Sequence, residues 1–215
     1  MGALLEITPD LVQEVTGHCG LPIGRPIADQ VCAYMQLLQK WNARMNLTAL
    51  IDPVEILENL FAESFLGAQL LQRDDSPCLD VGSGAGFPGM AMKIYRPDLD
   101  MILLEPRQKR AAFLATLRRE LGLTGVEILS CRLEASQTTI FKQLPVVLIS
   151  RGLGNQEKIL RAGRPLLQGS RKVLLFTTPD LAALLCLGLD GIQWNDPVPV
   201  PWNNSHVLLQ GQWIS

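Results

Sequence analysis

The stretch Leu79 to Gly89, reading LDVGSGAGFPG, gathers the residues best suited to hold a small polar ligand. An acid, Asp80, sits at the end of a short apolar run, and Gly82, Gly84 and Gly86 then alternate. Glycine lets the backbone turn sharply and lets a ligand come close to it. Two phosphate-binding turns fit poorly. A P-loop ends in Gly-Lys-Ser/Thr, which this turn lacks. A dinucleotide fingerprint needs its third glycine at position 87, where Phe87 stands. A second acid, Glu105, ends the next apolar run, and an acid at that place accepts hydrogen bonds from ribose hydroxyls. The alternative for Glu105 is a surface carboxylate paired with Arg107 or Lys109. Arg132-Leu133-Glu134 follows the third run, where backbone N–H groups and a carboxylate could read an adenine edge. Metal and thiol chemistry are not expected. There are two histidines, and none of the five cysteines is spaced as C-x-x-C.

These residues need strands to end on. Cys78 to Val81, Asp100 to Glu105, Gly125 to Ser130, Leu144 to Ser150 and Lys172 to Thr177 are apolar runs of strand length. Helical spacing separates most of them, at Pro88 to Tyr95, Arg107 to Leu121 and Asn155 to Leu167. Strand–helix alternation with continuously apolar strands predicts an α/β fold. Its sheet is mostly parallel and covered on both faces, with ligands at the strands' carboxyl ends. Residues 192–196 and His206 to Trp213 are expected to add an antiparallel hairpin. The first 76 residues read differently. Thr8-Pro9-Asp10 and Asp52-Pro53-Val54-Glu55 are helix starts, and Ile27 to Met45 carries apolar residues at steps of three and four. The expected organisation is a helical extension over 1–76 and a ligand-binding core over 77–215.

Charged residues make up 19% of the chain, and with 47% hydrophobic residues that excludes intrinsic disorder. No apolar run approaches the ~18 residues of a membrane span, and the start of the chain lacks the pattern of a signal peptide, so a cytoplasmic protein is expected. The net charge of −2 conceals a partition. Residues 1–76 carry four Lys/Arg and ten Asp/Glu, residues 77–172 fifteen and eight, and residues 173–215 none and three. The middle segment is thus net +7 and suits an anionic partner, or else its cations are solvated and paired with the acidic flanks.

The D-x-G-x-G-x-G form resembles the first motif of the Rossmann-like class I S-adenosylmethionine (SAM) methyltransferases, in which the acid, here Asp80, holds the charged amino group of SAM. The chain further resembles a bacterial family, the guanine-N7 methyltransferases of small-subunit (16S) ribosomal RNA, also called glucose-inhibited division protein B. Trp41-Asn42, Asn46-Leu47-Thr48, Asp52-Pro53, LDVGSGAGFPG, Leu103 to Leu114, Arg132-Leu133-Glu134 and Ile149-Ser150-Arg151 carry the likeness. The resemblance implies a seven-stranded sheet and SAM as cofactor. It implies contacts from Gly82, Phe87, Leu133, Glu134 and Arg151, beside Asp80, Gly84, Gly86 and Glu105 from the strand ends. Arg151 faces the methyl-transfer region, or else neutralises Asp80 or Glu134. The implied partner is ribosomal RNA or the small subunit, met by a monomer. Guanine N7 already has an in-plane lone pair, so positioning suffices and no general base is required. Adenine-N6 transfer is disfavoured, since the chain lacks Asn/Asp-Pro-Pro-Tyr/Phe after the fourth strand.

Three departures fall on the substrate side. Where the family carries H-x-x-D-S, this chain has Leu60-Phe61-Ala62-Glu63-Ser64. Where the family carries Lys-Gly after the fifth strand, it has Thr177-Thr178, and its tail is free of basic residues. These leave open a SAM enzyme with another substrate, or a descendant that binds SAM or RNA without catalysis. Trp194, Trp202, Trp213 and His206 are expected to be structural.

Overall fold

In a computed structural model the chain is described over residues 6–134, 138–152, 154 and 156–214. Two helices open it. In α1 (Pro9–His18) the Thr8 hydroxyl accepts from the Leu11 amide. The long α2 (Arg25–Met45) ends on Asn46 in the left-handed conformation. Next, α3 (Pro53–Ile56), a π-wound turn over Leu57–Ala62 and α4 (Glu63–Gln69) form one continuous helix, started by Asp52 Oδ1 accepting from the amides of Val54 and Glu55. The sequence reads as an unbroken amphipathic helix here, and the π winding is not foreseen.

The core alternates β1 (Cys78–Val81), α5 (Gly89–Tyr95), β2 (Met101–Leu104), α6 (Gln108–Glu120), β3 (Val126–Leu129), β4 (Val147–Arg151), α7 (Gln156–Gly163), β5 (Lys172–Thr177) and α8 (Pro179–Gly188). It closes with β6 (Ile192–Trp194), β7 (Val198–Pro199) and β8 (Val207–Trp213). The strand order is β3-β2-β1-β4-β5-β8-β6, and the two-residue β7 pairs with β8 off that path. The first five strands are mutually parallel, and β8 runs antiparallel to both β5 and β6. The seven expected strands are present, and β7 makes the sheet eight-stranded. Helix α8 is an element that strand–helix reasoning missed. Helix α7 begins at Gln156; its expected first residue, Asn155, lies outside the described residues.

Alternate side chains of the strands feed two cores. Cys78, Met101, Leu103, Val147, Ile149, Leu174 and Phe176 join α1, α2, α5, α6 and the π turn on one face. Leu79, Val81, Ile102, Leu104, Leu148, Val173 and Leu175 meet α7 and α8 on the other. The helical extension therefore shares its apolar core with one face of the sheet. Strands buried on both faces explain the continuous apolar runs. None of the helices among the described residues is long and apolar enough to cross a membrane.

Candidate functional site

The carboxyl ends of β1, β2, β4 and β5 converge on the glycine turn. Gly82, Gly84 and Gly86 all have positive φ, at 75°, 57° and 95°. The turn is held from three sides. The Gly82 amide donates to Leu104 O at 2.8 Å, which ties it to β2. Glu105 Oε2 accepts from the Gly84 amide at 2.9 Å, and its Oε1 accepts from the Arg107 amide at 2.8 Å. Glu105 is thus buried and bound to backbone rather than paired at the surface with Arg107 or Lys109. Each of its oxygens keeps acceptor capacity for a further donor. From the helical extension, Tyr34 Oη donates to Ala85 O at 2.6 Å. Tyr34 was not singled out in the sequence.

Asp80 is 1% exposed. Its Oδ2 accepts from the Gly89 amide at 3.1 Å, while its Oδ1 is buried without a partner. Burial pushes its carboxyl up to about 7, against the pull of the Ser83 and Gly89 hydrogen bonds. Such a carboxylate is completed by a bound cation. An ammonium group donating to Oδ1, with a ribose donating to Glu105, fits the observed donor and acceptor set.

Phe87 is buried in an aromatic cluster, stacked on Tyr34 at 5.1 Å and edge-on to Phe61 at 4.9 Å. Leu133 is half-buried and Glu134 exposed in the loop after β3. No hydrogen bond from either to the turn is seen among the described residues.

Arg151 is the last residue of β4, not a loop residue beyond it as expected. Its guanidinium does not pair with Asp80 or Glu134. It reaches the helical extension instead, where Nη2 lies 2.9 Å from Glu63 Oε2 and also donates to Asn59 O. The π winding presents the Asn59 and Glu58 carbonyls to donors outside the helix, and Trp202 Nε1 donates to Glu58 O at 3.1 Å. The other oxygen of Glu63 lies 2.5 Å from His206 Nδ1. Arg151, Glu63 and His206 thus form a chain of charge and hydrogen bonding at the strand ends. Burial lowers the Arg151 pKa against the support of Glu63 and Asp80. A cavity of about 320 Å³ opens over this chain, lined also by Gln156, Phe176 and Thr177. Among the described residues, no cluster of His, Cys, Asp and Glu could hold a metal ion.

The basic residues of α6 serve partly as tethers: Arg110 donates to Asn46 O and Arg118 to Val126 O. Trp213 is buried in the second core.

The family model for rRNA small subunit methyltransferase G (GidB) matches residues 27–180. The chain belongs to this family. A member from Syntrophotalea carbinolica, named ribosomal RNA small subunit methyltransferase G, is 31% identical over 79% of this chain and 77% of its own. Members of the same name from Clostridium beijerinckii and Desulfotalea psychrophila are 37% and 40% identical over 58% of this chain. The matched stretch spans only 53% and 59% of those two relatives. Among solved structures, a SAM-dependent methyltransferase from Aquifex aeolicus aligns with a TM-score of 0.60 at 16% identity, covering 79% of this chain and 97% of that one. A ribosomal protein L11 methylase from Lactobacillus delbrueckii gives 0.57 at 10% identity, over 73% and 79%. These neighbours show the class I methyltransferase fold.

Proposed function

We propose that this chain is a SAM-dependent methyltransferase acting on N7 of a guanine in small-subunit ribosomal RNA, as a monomer in the cytoplasm. The observation that carries the reading is the buried, half-satisfied Asp80 beside the glycine turn in a member of this family. In this site Asp80 binds the amino group of SAM, Glu105 its ribose, and Leu133 and Glu134 flank its adenine. Gly82, Gly84, Gly86 and Phe87 shape the wall along which it lies. Bound there, SAM supplies an electrophilic methyl group on a sulfonium.

The chain's own contribution is placement. The Arg151 side chain is 15% exposed and is anchored to Glu63 and Asn59, so its guanidinium stands rigid beside the methyl-transfer region. Guanine N7 presents a lone pair in the base plane, so the protein removes no proton from it. Bound SAM would supply the methyl group, and this chain's residues would hold guanine N7 toward it; such placement can supply most of the acceleration.

Mass spectrometry of 16S ribosomal RNA from cells with and without the gene tests the assignment. Loss of one N7-methylguanine in the deleted strain, restored by the gene and not by an Arg151→Ala copy, is expected. An unchanged modification profile overturns the substrate.

A further inference from the structure

The cavity over the Arg151–Glu63–His206 chain contains more polar chemistry than placement of SAM requires. His206 immediately precedes β8, 143 residues away from Glu63 in sequence. Glu63 is 1% exposed and already accepts from Arg151, and an Nδ1–H donating to its other oxygen fits the 2.5 Å contact. Asn203 also approaches Nδ1, at 3.3 Å. Asn203 Nδ2 donates one of its two hydrogens to Asn59 Oδ1 at 2.8 Å, and its Oδ1 accepts from the Ser205 amide at 3.1 Å; an Nδ1 that donates to Glu63 leaves the longer contact without an acceptor. The imidazole is therefore held by one nitrogen on a buried carboxylate. Its side chain is 38% exposed and lines the cavity. With Nδ1 turned to Glu63, Nε2 is the nitrogen left for the cavity, and on a neutral ring it is an acceptor.

The cavity also shows unmet hydrogen-bonding capacity. Gln156 and Thr177 are buried lining residues, and Gln156 Oε1, Thr177 Oγ1 and Arg151 Nη1 are all buried without a partner. Buried polar atoms are rarely left so in a finished structure, and a cluster of them around one cavity marks a polar occupant. The volume, about 320 Å³, lies at the small end of ligand pockets, which run from roughly 300 to 1,000 Å³, and suits one planar base better than a nucleotide with its phosphate.

We propose that this cavity receives the target base and that His206 selects guanine there, its Nε2 accepting from the N1–H and amino edge while N7 faces the methyl-transfer region. Adenine offers a bare acceptor at N1, so it would set two lone pairs against each other. A site built to hydrogen-bond a substrate N–H rejects the analogue that lacks it strongly. This assignment rests on the methyltransferase reading above.

Two substitutions separate a reading role from a structural tie. Asparagine places its amide nitrogen where Nδ1 lies and nothing where Nε2 lies. Glutamine reaches the Nε2 position with an acceptor oxygen. His206→Asn is expected to keep the melting temperature and SAM affinity, and to lose at least tenfold in kcat/KM on small subunits. His206→Gln is expected to recover part of that loss. Wild-type activity in His206→Asn overturns the proposal, as does His206→Gln falling no higher than His206→Asn. A second measurement does not need turnover. The chain has two histidines, so ¹⁵N-histidine labelling gives an assignable Nε2 signal for His206. Titrating the wild-type protein with guanosine monophosphate in the presence of S-adenosylhomocysteine is expected to shift that signal, and adenosine monophosphate is expected not to. No shift with the guanine nucleotide, or an equal shift with both, overturns the proposal. Absence of methyl transfer by the wild-type protein overturns the substrate reading alone.

Discussion

Alanine at Gly86 should damage the fold far more than alanine at Gly84, two residues earlier in the same motif. At Gly86, φ is +95° and a Cβ would lie 2.4 Å from Tyr34 Oη and 3.0 and 3.1 Å from Met90 Cγ and Cβ. The positive φ alone costs an L residue about 1–2 kcal/mol. The clash adds more because Tyr34 has nowhere to go: it is fully buried and stacked on Phe87. Displacing Oη breaks its 2.6 Å bond to Ala85 O and strands two buried polar groups, a further loss of roughly 1–3 kcal/mol. Gly86→Ala should therefore cost roughly 2–5 kcal/mol. Tyr34→Phe alone should cost about 1–2 kcal/mol, for the carbonyl it leaves unpaired. In the double variant the oxygen is gone, so the backbone strain and the Met90 contact remain but the hydrogen bond is not lost twice. The cycle should show a favourable coupling of about 1–2 kcal/mol. Urea unfolding of the four proteins, with unchanged m-values, measures it. Additive costs, to within about 0.5 kcal/mol, would refute the claim that the helical extension clamps the turn through Tyr34.

The neighbouring glycine has a different function. A Cβ at Gly84 meets nothing nearer than 3.6 Å, so Gly84→Ala should lose only about 1–2 kcal/mol of backbone strain while SAM affinity falls at least tenfold by calorimetry; full affinity would place SAM away from the turn. Asp80 is raised from 3.8 to about 7 in the folded protein, so the native state binds more protons than the unfolded one between those values. Stability should fall as pH rises from about 4 to 7 and then level off, and Asp80→Asn should flatten that slope; a slope unaltered in the variant assigns it to other groups. SAM binding should tighten with rising pH up to about 7, because the ammonium needs the ionised carboxylate; a pH-independent affinity in calorimetry removes Asp80 from that contact. Arg151→Ala should cost about 3–5 kcal/mol, because it leaves the Glu63 carboxylate buried without its cation. Adding Glu63→Gln should recover stability but not methyl transfer. Recovered transfer would make Arg151 a structural residue only.

Local signals were legible wherever one element carries the whole pattern. Cys78 to Val81 and Lys172 to Thr177 are strands with the expected ends, and Asp52 caps its helix as expected, since strand burial and capping are decided within a few residues. The same kind of signal was available for α8. Thr178-Pro179-Asp180 repeats Thr8-Pro9-Asp10, and Thr178 Oγ1 accepts from the Leu181 amide as Thr8 does from Leu11. The helix escaped notice because Leu181 to Leu189 is apolar on nearly every side, so no 3.6-residue periodicity stands out. The π turn is a different case. Its residues have an ordinary amphipathic pattern, and its winding is accompanied by partners distant in sequence: Trp202 on Glu58 O and Arg151 on Asn59 O.

The same division explains the site. Asp80 and Glu105 sit at strand ends, and strand ends can be counted, so their places beside the glycine turn followed from spacing; their burial and backbone partners did not. Glu63 read as a one-methylene change within a motif that had also lost its histidine, and His206 as a lone structural residue. Neither reading contains the other, because a helix near residue 60 and a strand near residue 206 meet only once the sheet order places β8 beside β5. A buried carboxylate needs donors, and Glu63 has one from that order, delivered by the tail at 2.5 Å. Another cation in place of His206 would compete with Arg151 for the same two oxygens. An imidazole can satisfy the carboxylate through Nδ1 and still offer its second nitrogen to the cavity.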